Sequence, residues 1–245
     1  PAGSAPLISL FDSDTGAQVD QIRPFQPSYT GGVNVTLADL DRDGAPEIIA
    51  SAASGSPHVV VFDGATHAVT ASFLAFPGST SGVSIAAGDI GNGSRGIVVG
   101  SGGGMAGTVA FFTPSGEPVR TLNPYGDSYR GLVNVALAQG AQEPELVTAG
   151  GAGGHVRVTG LESGDNLASF LAFDGRYQGT VSLAAGDLDG DDIGEILIGA
   201  TTGAGHVKVF GGANIIGQTA DAVSLERLSR EGVGAMNVNF TKAFL

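Results

Sequence analysis

The chain has 245 residues, of which 41 are glycine and none is cysteine, and its 24 acidic and 11 basic side chains give a formal net charge of −13. This excess of acids argues against nucleic acid and anionic membranes as partners, because both attract lysine and arginine, and it suits a protein that binds cations. Apolar residues make up 42% of the chain, so a sizeable core is expected, and no disulfide holds it together.

The first residues, 1-PAGSAP-6, contain no apolar signal segment, and we interpret them as a trimmed or processed mature end. The uncharged run 96-GIVVGSGGGMAGTVAFFTPSG-116 has enough residues for a membrane-spanning helix. Glycines and a proline interrupt this run, and its two apolar parts recur elsewhere in the chain. We therefore predict two strands here and no membrane insertion.

Four kinds of strand-like segment recur along the chain, and each has the apolar alternation of a β-strand. The chain opens with the third and fourth kinds, at 6-PLISLFD-12 and 18-QVDQIRPF-25. The first kind follows at 33-VNVTLAD-39, 83-VSIAAGD-89, 133-VNVALAQ-139, 181-VSLAAGD-187 and 236-MNVNF-240, and the second at 47–52, 97–102, 145–150 and 195–200. The third kind recurs at 58–64, 108–112, 155–160 and 206–212, and the fourth at 68–76, 118–125, 166–173 and 222–228.

A unit of four short strands that repeats about every 50 residues is typical of a β-propeller blade. We predict an all-β fold: a single domain over residues 1–245 that forms a five-bladed β-propeller. Four blades are expected at residues 31–76, 81–125, 131–173 and 179–228, and the fifth from 6–25 together with 232–245. A blade shared by the two ends of the chain closes the ring and leaves no exposed sheet edge.

Two features leave alternatives open near the C-terminal end. The segment 219-TADAVSLERLSREG-232 fits a short helix capped by Thr219 or Asp221, although its place in the repeat favours a fourth strand. The closing blade also lacks an obvious second strand, because only 241-TKAFL-245 follows its first strand.

Two loops between a first and a second strand repeat one acidic pattern, 39-DLDRDGAPE-47 and 187-DLDGDDIGE-195. Closely spaced carboxylates repel one another unless a cation lies among them, and Ca²⁺ takes six to eight oxygen ligands. We predict two structural Ca²⁺ ions, held by the side chains of Asp39, Asp41, Asp43 and Glu47 with the Ala45 carbonyl, and by those of Asp187, Asp189, Asp191 and Glu195 with the Ile193 carbonyl. Gly44 is expected in the left-handed region, as is Asp192 at the matching position. The alternative is a pair of solvated acidic turns.

The equivalent loops of the two blades between them lack this pattern. In 89-DIGNGSRGI-97 only Asp89 remains, because Gly91 and Gly93 stand where the other loops have aspartates. The loop 139-QGAQEPE-145 is shorter and has no aspartate. We therefore predict that neither of them binds calcium as the first two do.

The stretches 32-GVNVTLADLDRDGAPEIIASA-52 and 179-GTVSLAAGDLDGDDIGEILIGA-200 resemble the FG-GAP repeats of integrin α-subunit propellers and their bacterial relatives. The resemblance rests on a small, glycine-rich strand, then D-x-D-x-D-G-x-x-[DE], with Asp192 in place of the glycine in the second stretch, then an apolar strand that ends in glycine or alanine. Through the repeats the resemblance extends over nearly the whole chain, and 72-SFLAFPGSTSG-82 and 169-SFLAFDGRYQG-179 are similar to a bacterial subtype. It implies that the two acidic loops bind calcium. Integrin propellers have more and longer blades, so their partners are not implied.

This family is mostly extracellular, so the resemblance implies a secreted or cell-surface protein. We expect a non-enzymatic, calcium-binding recognition or adhesion module for glycans or proteins. The alternatives are a polysaccharide-active hydrolase or lyase on a propeller, which needs a pair of carboxylates outside the calcium loops, and a purely structural module of a larger surface protein.

Three further series of residues recur at fixed places in the repeat. Tyr29, Tyr129 and Tyr177 lie four residues after the aromatic ends of fourth strands, and they are candidates for stacking on a sugar; the alternative is packing between blades. His58, His155 and His206 begin third strands and cannot converge on one metal, so we expect repeated packing or hydrogen bonding. Polar residues on the first strands are expected to satisfy backbone groups near the axis: Asn34, Ser84, Asn134, Ser182 and Asn237.

Overall fold

The computed structural model describes residues 2–202 and 206–211. Within these residues the chain forms antiparallel strands and no helix. The strands, numbered in chain order, are β1 Ile8–Phe11, β2 Gln18–Ile22, β3 Val33–Ala38, β4 Glu47–Ala52, β5 His58–Phe62, β6 Val69–Leu74, β7 Val83–Asp89, β8 Arg95–Ser101, β9 Val109–Phe112, β10 Pro118–Leu122, β11 Asn134–Gln139, β12 Pro144–Gly150, β13 His155–Gly160, β14 Asn166–Leu171, β15 Val181–Gly186, β16 Glu195–Ala200 and β17 Val207–Phe210.

These strands form five separate sheets, each a simple meander in which neighbours in the sequence are hydrogen-bonded neighbours. Sheet I contains β1 and β2, sheet II β3 to β6, sheet III β7 to β10, sheet IV β11 to β14, and sheet V β15 to β17. The four-strand repeat read from the sequence is therefore confirmed in sheets II, III and IV. The uncharged run 96–116 holds β8 and β9, as predicted, and no described helix is long and apolar enough to cross a membrane.

Four apolar clusters lie between successive sheets, so the sheets pack face to face in chain order. In sheets II, III and IV the second strand supplies side chains to both faces: Ile48 packs towards sheet I, whereas Ile49 packs towards sheet III. In the same way Leu146 packs towards sheet III and Val147 towards sheet V. Burial on both faces explains why these strands are continuous apolar runs in the sequence.

The first strands of sheets II to V lie next to one another around a common axis, because β3 contacts β7, β7 contacts β11, and β11 contacts β15. Side-chain hydrogen bonds join these inner strands. Asn34 Nδ2 donates to the Val83 carbonyl at 2.8 Å, and Asn134 Nδ2 donates to the Val181 carbonyl at 2.8 Å. Ser84 Oγ accepts a bond from the Val135 backbone nitrogen at 3.2 Å. This is the arrangement of propeller blades, and the predicted role of the first-strand polar residues in satisfying backbone groups is confirmed for these three.

Some predictions lie outside the described residues. They are the fourth strand or helix at 219–232, the fifth first-strand segment at 236–240 and the contribution of 232–245 to a closing blade. The closed, five-bladed ring accordingly stays a prediction, as does the extent of the domain over residues 1–245.

Candidate metal centre

Two acidic loops project from the same end of the sheets. Loop II, residues 39–47, connects β3 to β4, and loop V, residues 187–195, connects β15 to β16. In both, a rigid inner strand delivers the first aspartate and the buried second strand delivers the last glutamate. Glu47 is 5% exposed and Glu195 is 6% exposed, so both carboxylates enter the protein rather than the solvent.

The backbone of loop II turns around its own carboxylates. Asp39 Oδ1 accepts a hydrogen bond from the Arg42 nitrogen at 2.7 Å, and Asp43 Oδ1 accepts one from the Ala45 nitrogen at 2.7 Å. Glu47 Oε2 accepts a bond from the Leu40 nitrogen at 2.6 Å, which ties the end of the loop to its beginning.

Loop V repeats these bonds at the matching positions. Asp187 Oδ1 accepts from the Gly190 nitrogen at 2.7 Å, and Asp191 Oδ1 accepts from the Ile193 nitrogen at 2.8 Å. Glu195 Oε2 accepts from the Leu188 nitrogen at 2.8 Å. Two loops far apart in sequence thus share one conformation.

Each loop has two residues in the left-handed region, at its fourth and sixth positions. In loop II these are Arg42, with φ 68°, and Gly44, with φ 90°. In loop V they are Gly190, with φ 84°, and Asp192, with φ 65°. The prediction for Gly44 and Asp192 is confirmed. The left-handed conformation of Arg42 and Gly190 was not predicted. Glycine occupies the sixth position in loop II and the fourth position in loop V, which explains why only loop V departs from D-x-D-x-D-G.

Carboxylate oxygens converge in both loops at the spacing that one ion requires. One oxygen each from Asp39, Asp41 and Asp43 lies within 4.8 Å of the other two. In loop V the corresponding trio is Asp187, Asp189 and Glu195. Since Ca²⁺–O distances are about 2.3–2.6 Å, two ligands of one ion lie within roughly 5 Å of each other. An all-oxygen set at this spacing fits a hard cation such as Ca²⁺.

The remaining predicted ligands lie close by but outside these trios. Glu47 and Asp191 make the loop hydrogen bonds described above. The Ala45 carbonyl oxygen lies beside Gly64 in the next hairpin, where a side chain on that glycine would collide with it. Coordination of an ion by the Ala45 and Ile193 carbonyls therefore stays a prediction.

The electrostatics of loop V favour a bound cation. Burial raises the pKa of Glu195 above its ordinary value, and the charges of Asp189 and Asp191 raise it further. A cation among these groups would offset both effects, because it stabilises the ionised form.

The equivalent loops of sheets III and IV instead make contacts between sheets. In the sheet III loop, the Gly93 carbonyl accepts a bond from Arg42 Nη2 at 2.6 Å, and the Asn92 nitrogen donates to Glu162 Oε1 at 3.0 Å. In the sheet IV loop, the Gln139 carbonyl accepts a bond from the Gly194 nitrogen at 2.7 Å. Loops II and V are thus each joined to a neighbouring loop that has no aspartate trio.

At the opposite ends of the strands, three tyrosines make one repeated contact. The hydroxyl of each lies near the carbonyl oxygen three residues further on: Tyr29 to Gly32 at 2.9 Å, Tyr129 to Leu132 at 3.0 Å, and Tyr177 to Thr180 at 2.7 Å. Each hydroxyl also packs on the Cα of the glycine two positions later, Gly31, Gly131 or Gly179, where a Cβ would overlap it. Sequence analysis missed this role, although the spacing Y-x-G was visible. Sugar stacking by the three rings stays a prediction.

The histidines and the other acids have local partners. His58 Nε2 lies 2.9 Å from Ser72 Oγ, and His155 Nε2 lies 2.8 Å from Ser169 Oγ, so the predicted repeated hydrogen bonding is confirmed for these two. Asp20 Oδ2 lies 2.6 Å from His67 Nδ1 of the next sheet, a contact that sequence analysis missed. Asp12 and Asp63 accept bonds from Thr15 and Thr66 in the outer hairpins: 2.8 Å and 2.6 Å from the two backbone nitrogens.

Comparison with solved structures supports the propeller architecture. The chain is similar to the Dos1 propeller, with a TM-score of 0.53 and 12% identity over 89% of this chain and 53% of that one. It is similar to a chain of the mitotic checkpoint complex, with a TM-score of 0.55 and 13% identity over 90% and 58%. It is also similar to a protein of unknown function from Bacteroides caccae, with a TM-score of 0.53 and 16% identity over 92% of this chain and 72% of that one. The chain spans little more than half the length of the first two.

No known protein family and no curated protein matches the sequence. At these identities the structural likeness shows the fold alone, so the chain is a β-propeller whose FG-GAP assignment stays a prediction.

Proposed function

We propose that this protein is an extracellular, calcium-binding β-propeller of the FG-GAP type, which acts as a recognition module for glycans or proteins without catalysing a reaction. One observation carries the calcium assignment. Loops II and V, far apart in the sequence, have matching hydrogen bonds, and each brings three carboxylates together, whereas the two loops between them show no such trio.

The two ions have a structural role in this proposal. Each loop carries aspartates that repel one another, and each is joined to the next sheet, by Arg42 in loop II and by Gly194 in loop V. A cation would remove the repulsion and hold the loop in the conformation that makes these contacts, so calcium stabilises the joints between blades. Because calcium is abundant outside cells, this role suits a secreted or cell-surface protein.

The proposed ring has five blades, with residues 232–245 completing the blade that begins with β1 and β2. Two features support this arrangement. The segments 6–12 and 18–25 match third and fourth strands of the repeat, and 236-MNVNF-240 matches a first strand. Sheet I packs on sheet II through Ile8, Leu10 and Ile22, just as complete blades pack on each other.

The recognition role is tested with a glycan array, probed with the purified protein in calcium and again in chelator. Reproducible binding to one class of glycan would support the proposal, and its loss in chelator would show that the ions shape the binding surface. A blank array under both conditions would remove glycans from the proposal and leave protein partners, to be sought by crosslinking on the surface of the source cells.

A further inference from the structure

A cavity of about 540 Å³ opens between sheets I and II, at the ends of the strands opposite the calcium loops. Ala52, at the far end of β4 from Glu47, lies on its wall, so the two sites are separated by the length of a strand, roughly 17 Å. Its volume falls in the range of small-molecule sites, about 300–1,000 Å³.

At the same place in sheet IV, polar side chains bond across the junction between two sheets. There the Tyr125 hydroxyl donates to the His155 carbonyl at 2.7 Å and lies 3.2 Å from Thr148 Oγ1. The Arg157 guanidinium reaches across to the Pro124 carbonyl. Three polar side chains thus occupy the junction between sheets III and IV.

At the junction of sheets I and II, apolar residues replace all three of these side chains. Phe25 stands in the position of Tyr125, and the cross-strand pair Ala50 and Val60 stands in the position of Thr148 and Arg157. Neither the hydroxyls nor the guanidinium is present, while the residues that shape the loop, Pro24 and Tyr29, are the same as in sheet IV. Apolar residues also take these three positions beside sheet III, as Phe76, Val99 and Ala110, so this exchange is shared by two junctions.

Aromatic rings form one wall of the cavity. The Phe25 ring lies 5.0 Å from that of Tyr29 and 5.3 Å from that of His58, measured between centroids. His58 is fixed in this wall because its Nε2 lies 2.9 Å from Ser72 Oγ. The Phe25 ring is inclined by 66° to Tyr29 and by 48° to His58, so the wall is angular, and the C–H face of a ring can pack against it.

Neutral hydrogen-bonding groups complete the lining, from Gln26, Ser28 and Ser56. None of the described residues that line the cavity is Asp, Glu, Lys or Arg. Burial lowers the pKa of His58, so its imidazole is neutral at pH 7. The cavity thus offers one apolar wall, several neutral polar groups and no charge.

We propose that this cavity is a binding site for one unit of a neutral glycan, with a pyranose ring stacked on Phe25 and His58 and its hydroxyls bonded to Gln26, Ser28 and Ser56. Anionic sugars are disfavoured, because the lining supplies no cation and the chain carries a net charge of −13. The inference rests on the proposed glycan recognition and assigns it to a site and to a class of sugar.

Two matched variants test the site. Ser28→Trp places an indole in the mouth of the cavity, whereas Ser128→Trp places one in the matching turn before sheet IV. The two serines are exposed, and in both turns the tyrosine nitrogen closes the turn: that of Tyr29 donates to the Gln26 carbonyl and that of Tyr129 to the Gly126 carbonyl. Gln26→Trp is a second blocking variant in case Ser28→Trp fails to fold. Binding is followed by NMR, from the shifts of the His58 ring signals on titration with methyl glycosides of glucose, galactose, mannose and N-acetylglucosamine, and with glucuronic acid.

We expect at least one neutral glycoside to shift the His58 signals in the parent protein and in Ser128→Trp, and to bind about tenfold or more weakly to the blocking variants. Equal binding by all variants would overturn the site while leaving glycan recognition intact. If the glycan array is positive but no glycoside shifts the His58 signals, or if glucuronic acid alone shifts them, the assignment of this cavity to neutral sugars is overturned. A blank array together with silent glycosides would remove glycan recognition as well.

Discussion

The backbone nitrogen of Leu40 donates to Glu47 Oε2 at 2.6 Å, and the Leu188 nitrogen repeats this bond to Glu195 at 2.8 Å. In each loop a buried carboxylate is thus held by the residue that follows the first aspartate. The bond fixes the glutamate at the edge of the aspartate cluster before any ion binds, so the site is preorganised by the chain itself.

Replacing Glu195 should have opposite effects with and without calcium. Burial and the neighbouring aspartates raise the pKa of Glu195, so in the absence of a cation ionisation of this group costs stability. Glu195→Gln keeps an oxygen that accepts the Leu188 bond and removes the charge. We expect this variant to melt at the same temperature as the parent or higher in chelator, and lower than the parent in calcium. Glu117→Gln, in an exposed turn, is the control, and a uniform shift under both conditions would contradict the ligand role.

Glu145 provides a pH dependence that does not involve calcium. Burial raises its pKa, and the charge of Glu143 raises it further. Its contribution to stability is therefore fully present below the unfolded pKa of about 4.5 and is lost as the pH rises through the folded value. We expect Glu145→Gln to be more stable than the parent at pH 7 and equal to it near pH 4, as measured by urea unfolding in chelator. A difference that is constant across this range would contradict the argument.

The contact between Tyr129 and Gly131 predicts a steric penalty. A methyl group on Gly131 would overlap the Tyr129 hydroxyl, which is held by the Leu132 carbonyl at 3.0 Å. We expect Gly131→Ala to lower the free energy of unfolding by about 1–3 kcal/mol. The double variant with Tyr129→Phe should recover part of that loss, because the nearest atom is removed.

Gly186→Ala is the matched control for this cycle, since a Cβ at Gly186 meets nothing within 4 Å. Equal losses for Gly131→Ala and Gly186→Ala would contradict the steric explanation, as would strict additivity of the two changes in the double variant.

The bond from Asn134 Nδ2 to the Val181 carbonyl joins sheets IV and V at the axis. Asn134→Ala should cost about 1 kcal/mol of unfolding free energy, the usual net value of a partly buried hydrogen bond. Ser182 occupies the same position of the next first strand but bonds within its own sheet, to the Gly199 carbonyl at 3.3 Å. Ser182→Ala should therefore cost less, and the reverse order in denaturant unfolding would contradict the proposed role at the sheet junction.

The strand pattern could be predicted from the sequence because the same segments repeat along the chain. The apolar alternation within each segment also follows directly from the two-residue period of a β-strand. Strand β4 matches the predicted segment 47–52 at both ends, since Glu47 starts the buried run and Ala52 ends it. The aspartate spacing likewise predicted which loops have converging carboxylates. These features depend on residues that are close together in the sequence, so one sequence is enough to predict them.

Contacts between sheets were harder to predict from the sequence. The bonds from Arg42 to Gly93 and from Gly194 to Gln139 join residues about fifty positions apart, whose proximity depends on how blades pack. The cavity beside Phe25 is an extreme case, because it is lined by residues from two separate stretches of the chain, 24–29 and 52–58. Each of them is visible in the sequence, but their meeting at one point is visible only in the structure.

The central claim is tested most directly by native mass spectrometry of the parent protein and of Asp39→Ala, Asp189→Ala and the double variant in calcium, with thermal melts of the same samples. We predict two bound calcium ions for the parent, one for each single variant and none for the double variant. Calcium should raise the melting temperature most in the parent, less in each single variant and not at all in the double variant. Asp89→Ala, in the sheet III loop, should retain both ions. A parent protein that binds no calcium and melts at one temperature in calcium and in chelator would contradict the account.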